Sequence, residues 1–122
     1  MIVTGAFLAE AATAADNKLH VWGGVISHIG LGPERTVRPV LVALTQAEAD
    51  NSDRTIEVDL QPPDGQESLH FSLEVPEATA NNDVGFTYWP LPLELPFNGR
   101  WRFVLSTAEG PEVSFPLVVN AL

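Results

Sequence analysis

Residues 91–122 read LPLELPFNGRWRFVLSTAEGPEVSFPLVVNAL, and this stretch decides the fold class. Asn98-Gly99 lies between two apolar runs, and because both residues tolerate positive φ, the dipeptide predicts a tight hairpin turn. A second turn is predicted at 109–111. Apolar side chains then recur at every second position, which places them on one face of a strand. These inward residues are Trp101, Phe103, Phe115 and Leu117. The stretch therefore predicts three short strands joined by two turns.

The rest of the chain also reads as short strands separated by turn residues. Ile56, Val58 and Leu60 alternate with Glu57 and Asp59, which predicts a strand with one face in the core and one in water. Further strands are predicted over 2–12, 19–26, 37–47, 69–75 and 86–95, with turns or loops at 16–17, 30–34, 49–53, 62–65 and 80–83. Helix is the competing interpretation of 2–12, because its alanines favour a helix.

These patterns predict one domain of about eight strands and no helix of substantial length. The expected fold is an all-β, two-sheet antiparallel β-sandwich, immunoglobulin-like or related. The chain has no cysteine, so the Cys–Trp–Cys framework of a true immunoglobulin domain is absent. We expect a sandwich of that general class and not an immunoglobulin domain itself.

The composition argues against several functions. The 122 residues carry 16 acidic and 6 basic side chains, for a net charge of −10, which disfavours binding to nucleic acid or to an anionic membrane. The absence of cysteine excludes thiol catalysis and fits a reducing compartment. Residues 1–14 are apolar but lack a positive start and contain Glu10, so we expect no signal peptide and a cytoplasmic protein.

Three parts of the chain resemble a family of small uncharacterised actinobacterial proteins. Residues 6–24, AFLAEAATAADNKLHVWGG, are similar to that family's opening, "LADAA" followed by "GKLYVLGGG". Residues 38–42 echo its central proline and apolar strand. Residues 91–93, 99–101 and 115–118 are similar to its closing Leu-Pro-Leu run, aromatic strand and terminal "pF.V" strand. The resemblance implies an all-β fold, and it implies no established activity and no functional residues.

The residues that could carry chemistry are scattered. The three histidines, His20, His28 and His70, lack the spacing of a metal site, so we expect no metal and no cofactor. No G-x-S-x-G motif is present, and no catalytic serine is expected. Glu57 and Asp59 share one face of a strand, a spacing that acid–base catalysis uses but that a solvated sheet face explains as well. We therefore predict a protein that is not an enzyme.

The apolar residues of the first, third and sixth predicted strands exceed what one core needs. Exposed apolar surface of this kind usually marks an interface, and two-fold dimers are the commonest soluble assemblies. The predicted interface residues are Val40, Val42, Tyr88, Trp89 and Trp22. The leading hypothesis is an interaction module that forms a homodimer or binds a protein partner. The alternative is a Ca²⁺-dependent carbohydrate or small-ligand module that uses the loops at 50–53 and 81–83 with an exposed tryptophan.

Overall fold

A computed structural model describes residues 1–48 and 53–122, and it shows an all-β protein. These residues form twelve strands and one short helix. The elements are β1 Ile2–Ala9, β2 Ala11–Ala15, β3 Lys18–Trp22, β4 His28–Leu31, β5 Thr36–Val37, β6 Val40–Gln46, β7 Thr55–Gln61, β8 Leu69–Glu74, α1 Glu77–Ala80, β9 Gly85–Pro90, β10 Leu93–Glu94, β11 Gly99–Ser106 and β12 Val113–Ala121.

The strands form four sheets. A three-stranded sheet has the order β1-β6-β9, and a five-stranded sheet has the order β4-β12-β11-β7-β8. Two smaller sheets pair β2 with β3 and β5 with β10. All pairs are antiparallel except β4 with β12, which run parallel. The predicted all-β class is confirmed, whereas no immunoglobulin-like sandwich is identified in the described part of the chain.

The core follows the predicted alternation. Ile56, Val58 and Leu60 have no exposed surface, as their period of two predicts. Phe103 stacks on Phe115 with ring centroids 4.9 Å apart. Full burial of an apolar side chain, such as that of Val58 or Phe103, stabilises the fold by roughly 1.5–3 kcal/mol. The core cluster draws on both larger sheets and includes Leu8, Leu41, Ala43, Val58, Leu60, Trp101, Phe103, Leu105, Leu117 and Val119.

The predicted strand 2–12 is divided, because β1 ends at Ala9 and residues 11–12 begin the β2–β3 hairpin. Asp16 and Asn17 have φ of 54° and 60°, so both central positions of the turn are left-handed, as a type I′ hairpin requires. The predicted turn at 16–17 is confirmed. The first strand stops before Glu10, whose amide donates to the Trp22 carbonyl over 3.1 Å. Strand β2 of the hairpin contacts β6.

The predicted Asn98-Gly99 hairpin is wrong. β10 pairs with β5 and not with β11, and only Gly99 has positive φ, at 128°. The reason is that Pro92 and Pro96 remove two N–H donors from the run before the turn, so it cannot form a regular ladder with β11. The turn at 109–111 is confirmed, because β11 and β12 pair directly and Gly110 has φ of 88°.

Two further elements differ from the prediction. The expected loop at 30–34 begins inside β4, which pairs with β12 and accepts a hydrogen bond at Leu31 O from the amide of Leu122, at 3.0 Å. Helix α1 is four residues long and follows Pro76. The three prolines of the predicted strand 86–95 indicate a strand that is irregular, lies at an edge or crosses between sheets. β9 ends at Pro90 on the edge of the three-stranded sheet, and Leu93–Glu94 pair with β5 in a separate sheet.

Candidate binding groove

An apolar groove runs beside β8, and we call it the β8 groove. Its volume is about 580 Å³, within the size range of ligand-binding clefts. Strand β8 forms one wall, the proline-rich segment 91–97 forms the other, and Trp101 of β11 lies between them. The groove is lined by Glu67, Leu69, His70, Phe71, Leu91, Pro92, Leu93, Glu94, Pro96, Phe97 and Trp101. Most of these side chains are apolar, and the acidic ones belong to exposed residues.

The first wall is formed by residues of β8, the strand at the edge of the five-stranded sheet. β8 is the last strand of the five-stranded sheet, and among the described residues no strand pairs with its side away from β7. The alternation of apolar residues in the predicted strand 69–75 predicts that Leu69 points into the core with Phe71 and Leu73, yet Leu69 is 44% exposed. An edge strand with an exposed apolar side chain offers both backbone hydrogen bonds and a hydrophobic contact.

The second wall is held in place by alternate leucines. Leu91, Leu93 and Leu95 are buried, and the intervening residues face outward. The amide of Leu91 donates to the Pro39 carbonyl over 2.8 Å. This wall ends at Phe97. Only its two β10 residues pair with another described strand. The buried leucines therefore anchor the segment.

Phe97 is fixed from below by Trp101. The two rings stack with centroids 6.3 Å apart, and the indole Nε1–H donates to the Phe97 carbonyl over 2.9 Å. Trp101 is buried, while Phe97 remains 40% exposed. Because the buried indole satisfies its polar atom on the backbone of Phe97, it holds the exposed ring at the mouth of the groove.

A polar pocket of about 370 Å³ adjoins the groove, and we call it the Arg35 pocket. It is lined by Arg35, Pro63, Asp64, Gln66, Pro96, Phe97 and Asn98, so Pro96 and Phe97 belong to both cavities. Arg35 Nε donates to the Leu95 carbonyl over 3.0 Å. Its Nη2 is buried and has no hydrogen-bond partner in the described part of the chain. A buried donor without a partner costs about 1–3 kcal/mol.

The outer face of the five-stranded sheet carries a hydrogen-bonded group that we call the His70 network. His70 Nδ1 lies 2.6 Å from Asp59 Oδ1, and its Nε2 lies 2.8 Å from Glu57 Oε2. The Ser72 hydroxyl donates to the same Glu57 oxygen over 2.7 Å. Hydrogen bonding to Asp59, with a further contribution from Glu57, raises the pKa of His70 above its ordinary value of 6.5.

The His70 network ties β7 to β8 and does not form a recognisable reaction centre. Glu57 and Asp59 share one face, as predicted, and the β7–β8 register brings His70 and Ser72 to them. Both imidazole nitrogens are occupied by carboxylates, and the Ser72 hydroxyl meets Glu57 instead of the histidine. Nucleophilic catalysis needs the serine beside its base. Across residues 1–48 and 53–122, no group of three or more potential ligands is placed to hold a metal ion.

The five predicted interface residues do not converge on one surface. Val40, Val42 and Tyr88 share the outer face of the three-stranded sheet, but Val42 has no exposed surface and is not available to a partner in this conformation. Trp89 packs against the core cluster. Trp22, 56% exposed, lies at the end of β3. A contact role for the four partly or fully exposed residues stays a prediction.

The candidate calcium loops are only partly within the described residues. Of the loop at 50–53, only Asp53 is described, and its Oδ1 accepts a hydrogen bond from the Thr55 amide over 3.0 Å. Residues 81–83 follow helix α1, where the Asn82 carbonyl accepts from the Ala47 amide over 3.1 Å. The Asp53 contact is a side-chain turn contact and the Asn82 contact is made by the backbone, and calcium binding by these loops stays a prediction.

Sequence reasoning missed the groove and the Arg35 pocket. The alternation of leucine with proline and glutamate over 91–95 is a signal for the outer wall, because it marks an extended segment that buries one side. Leu69 and Trp101 were assigned only to the core. No local signal identifies Arg35, because its role depends on the approach of Leu95 from a distant part of the chain.

Comparison of the chain with protein-family models, with curated proteins and with solved structures gives no match. The resemblance to actinobacterial proteins therefore stays a prediction. Among the helices described, none has both the length and the apolar character needed to cross a membrane.

Proposed function

We propose that the protein is a non-enzymatic interaction module that binds an extended segment of another protein in the β8 groove. The observation that carries the proposal is the free edge of β8 beside an apolar groove of about 580 Å³. A segment that enters the groove adds a sixth strand to the five-stranded sheet through backbone hydrogen bonds. Its alternate side chains then pack against Leu69, Phe97 and the rest of the apolar lining.

The fold that we propose for this module is a two-layer β-sandwich made of the three-stranded and five-stranded sheets. Supporting it, Leu8 and Leu41 of the smaller sheet share one core cluster with Val58 and Phe103 of the larger. The smaller layer is narrower by two strands. Part of the inner face of β8 is therefore left uncovered, which accounts for the exposed Leu69.

The charge of the groove selects among partners. Glu67 and Glu94 are exposed residues at its rim, and the whole chain has a net charge of −10. Opposite charge speeds encounter and disfavours wrong partners. The partner segment accordingly has apolar side chains at alternate positions and basic residues that reach the rim.

The predicted homodimer would bring like charges together, so a different protein fits better. A monomer by light scattering at about 100 µM is the expected result.

A display experiment tests the groove. Random twelve-residue peptides are selected on the wild-type protein, and the affinity of each selected peptide is measured by fluorescence anisotropy. Leu69→Lys places a charge on the free edge and is expected to weaken binding about tenfold, or about 1.4 kcal/mol. Val84→Lys is the matched control, because Val84 is 87% exposed and precedes the opposite sheet's edge strand.

Hydrogen exchange on the same complexes identifies the mode of binding. Strand addition protects amides of β8 on the free edge, and the groove proposal requires that protection. Peptides that bind Leu69→Lys as tightly as the wild type, or that leave β8 exchange unchanged, would overturn the proposal.

A further inference from the structure

Arg35 combines a left-handed backbone, a backbone that is hydrogen-bonded on both sides, and a guanidinium nitrogen without a partner. Its φ is 59°, a left-handed conformation that an arginine rarely adopts. Its backbone is held on both sides, since its amide donates to the Gly32 carbonyl over 3.0 Å and its carbonyl accepts from the Leu95 amide over 2.9 Å. Its Nη2 is buried without a partner among the described residues. Strained residues that the surroundings hold in place cluster at binding sites.

We propose that the Arg35 pocket is a carboxylate subsite that receives the terminal or side-chain carboxylate of the segment bound in the β8 groove. This inference rests on the proposed function and specifies its ligand. Pro96 and Phe97 line both cavities, so the two cavities are neighbours, and the proposal places one bound segment across both.

The chemistry of the pocket favours a carboxylate. Nε of Arg35 is already used by the Leu95 carbonyl, which leaves the edge formed by the two Nη atoms. That edge is a planar pair of donors that matches the two oxygens of a carboxylate. Gln66 and Asn98 line the same pocket and have side-chain amides that donate hydrogen bonds. A bound carboxylate supplies the partner that the buried donor lacks.

Asp64 is the one acidic residue of the pocket lining, and it sharpens the choice of ligand. It forms no ion pair with Arg35 within 4.0 Å in the part of the chain that the structure describes. Its negative charge opposes a second anion, and it opposes a phosphate dianion more strongly than a carboxylate with a single charge. Arg35 and Asp64 carry opposite charges, so the pocket offers local hydrogen-bond donors without a net positive charge, beside a groove with an acidic rim.

The experiment uses three matched peptides and ¹⁵N-labelled full-length protein. The probes are acetyl-Lys-Val-Leu-Val-Leu with a free carboxylate, the same peptide as a C-terminal amide, and the amide with Asp as its last residue. Affinity and the Arg35 Nε–H signal are followed by NMR. We expect both carboxylate peptides, or the one with the correct placement, to bind about tenfold more tightly than the amide.

Variants separate the pocket from the groove. Arg35→Gln is expected to reduce the carboxylate preference to within about twofold while the amide peptide keeps its affinity. Arg35→Lys keeps the charge but loses the paired donors, so an intermediate preference is expected. Arg100→Gln is the control for net charge, because Arg100 is exposed on β11 and makes no part of either cavity lining. The amide spectrum of each variant verifies its fold.

The outcomes distinguish the two proposals. Equal binding of amide and carboxylate peptides, all of which shift β8 signals, overturns the carboxylate subsite and leaves the groove intact. A carboxylate peptide that shifts Arg35 signals without shifting β8 supports the subsite and overturns the groove. A carboxylate preference that survives in Arg35→Gln overturns the assignment to Arg35. Peptides that shift neither set of signals overturn both.

Discussion

Strands β8 and β9 each end a sheet, and the protein treats the two edges differently. β9 ends at Pro90, which cannot donate to an added strand, and helix α1 packs against its start. A Cβ at Gly85 would lie 2.8 Å from the Thr79 carbonyl oxygen, so glycine is needed for this close approach. β8 has no proline, and its residues 69–71 line the apolar groove.

The comparison shows that the β8 and β9 edges are protected against pairing to different degrees. An exposed edge invites unwanted pairing, and proteins usually close it with proline, charge or a covering element. β9 uses two of these devices, whereas β8 contains no proline, pairs on its free side with no described strand and has Leu69 exposed. An open β8 edge is what the proposed function needs. The following predictions disturb one edge at a time.

The largest effect is expected from removing the floor of the β8 groove. Trp101→Ala leaves a cavity beneath Phe97 and breaks the hydrogen bond from Nε1, so we expect the free energy of unfolding to fall by about 3–5 kcal/mol. Denaturant unfolding measures the loss. Phe97→Ala is the control, because that ring is partly exposed and its loss is expected to cost about 1 kcal/mol. A loss below about 1 kcal/mol for Trp101→Ala would contradict the packing described.

A smaller effect is expected from opening the β9 edge. Gly85→Ala forces a methyl group to within 2.6 Å of Thr45 Oγ1 and 2.8 Å of the Thr79 carbonyl oxygen. The expected destabilisation is about 1–3 kcal/mol, with faster amide exchange in α1 and β9 than in β8. In Gly5→Ala the nearest atom is 3.7 Å away, so this control is expected to change stability by less than about 0.5 kcal/mol. Uniform exchange through both sheets would show that the edge is not a separate unit.

The smallest effect is a pH dependence confined to β8. The pKa of His70 is raised by Asp59 and Glu57, so protonated His70 favours the folded state. That contribution is complete below pH 6.5, the pKa of a free histidine, and is lost as the pH rises through the raised value. Amide exchange in β8, corrected for intrinsic rates, is expected to quicken relative to β9 over this rise.

His70→Gln should remove the pH dependence, and His20→Gln, which alters an exposed histidine of the β2–β3 hairpin, should retain it. Exchange in β8 that slows on raising the pH would reverse the sign and refute the role given to the His70 network.

Sequence reasoning succeeded where the signal lies within a few residues. The alternation of Ile56, Val58 and Leu60 predicts burial because the period of two is a property of one strand. The turn at 16–17 is equally local, since the positive φ of Asp16 and Asn17 depends on residue type.

It failed where the partner strand is distant. Asn98-Gly99 is a strong hairpin signal, yet the run before it pairs with β5 because its prolines prevent a regular ladder with β11. The candidate site shows the same limit. Glu57 and Asp59 were placed on one face, but their contact with His70 depends on the β7–β8 register. Arg35 is held beside the segment 91–97 by its contact with Leu95, which no pattern within either segment encodes.

The parallel pairing of β4 with β12 has a consequence for how the molecule folds. It joins His28–Leu31 to Val118–Ala121, segments separated by most of the chain. Closing so long a loop costs entropy before any contact is gained, and topologies rich in distant contacts fold slowly, in milliseconds to seconds. During synthesis on the ribosome, β4 must therefore wait unpaired until the residues of β12 have emerged. A chaperone that binds the unpaired β4 would act in this interval.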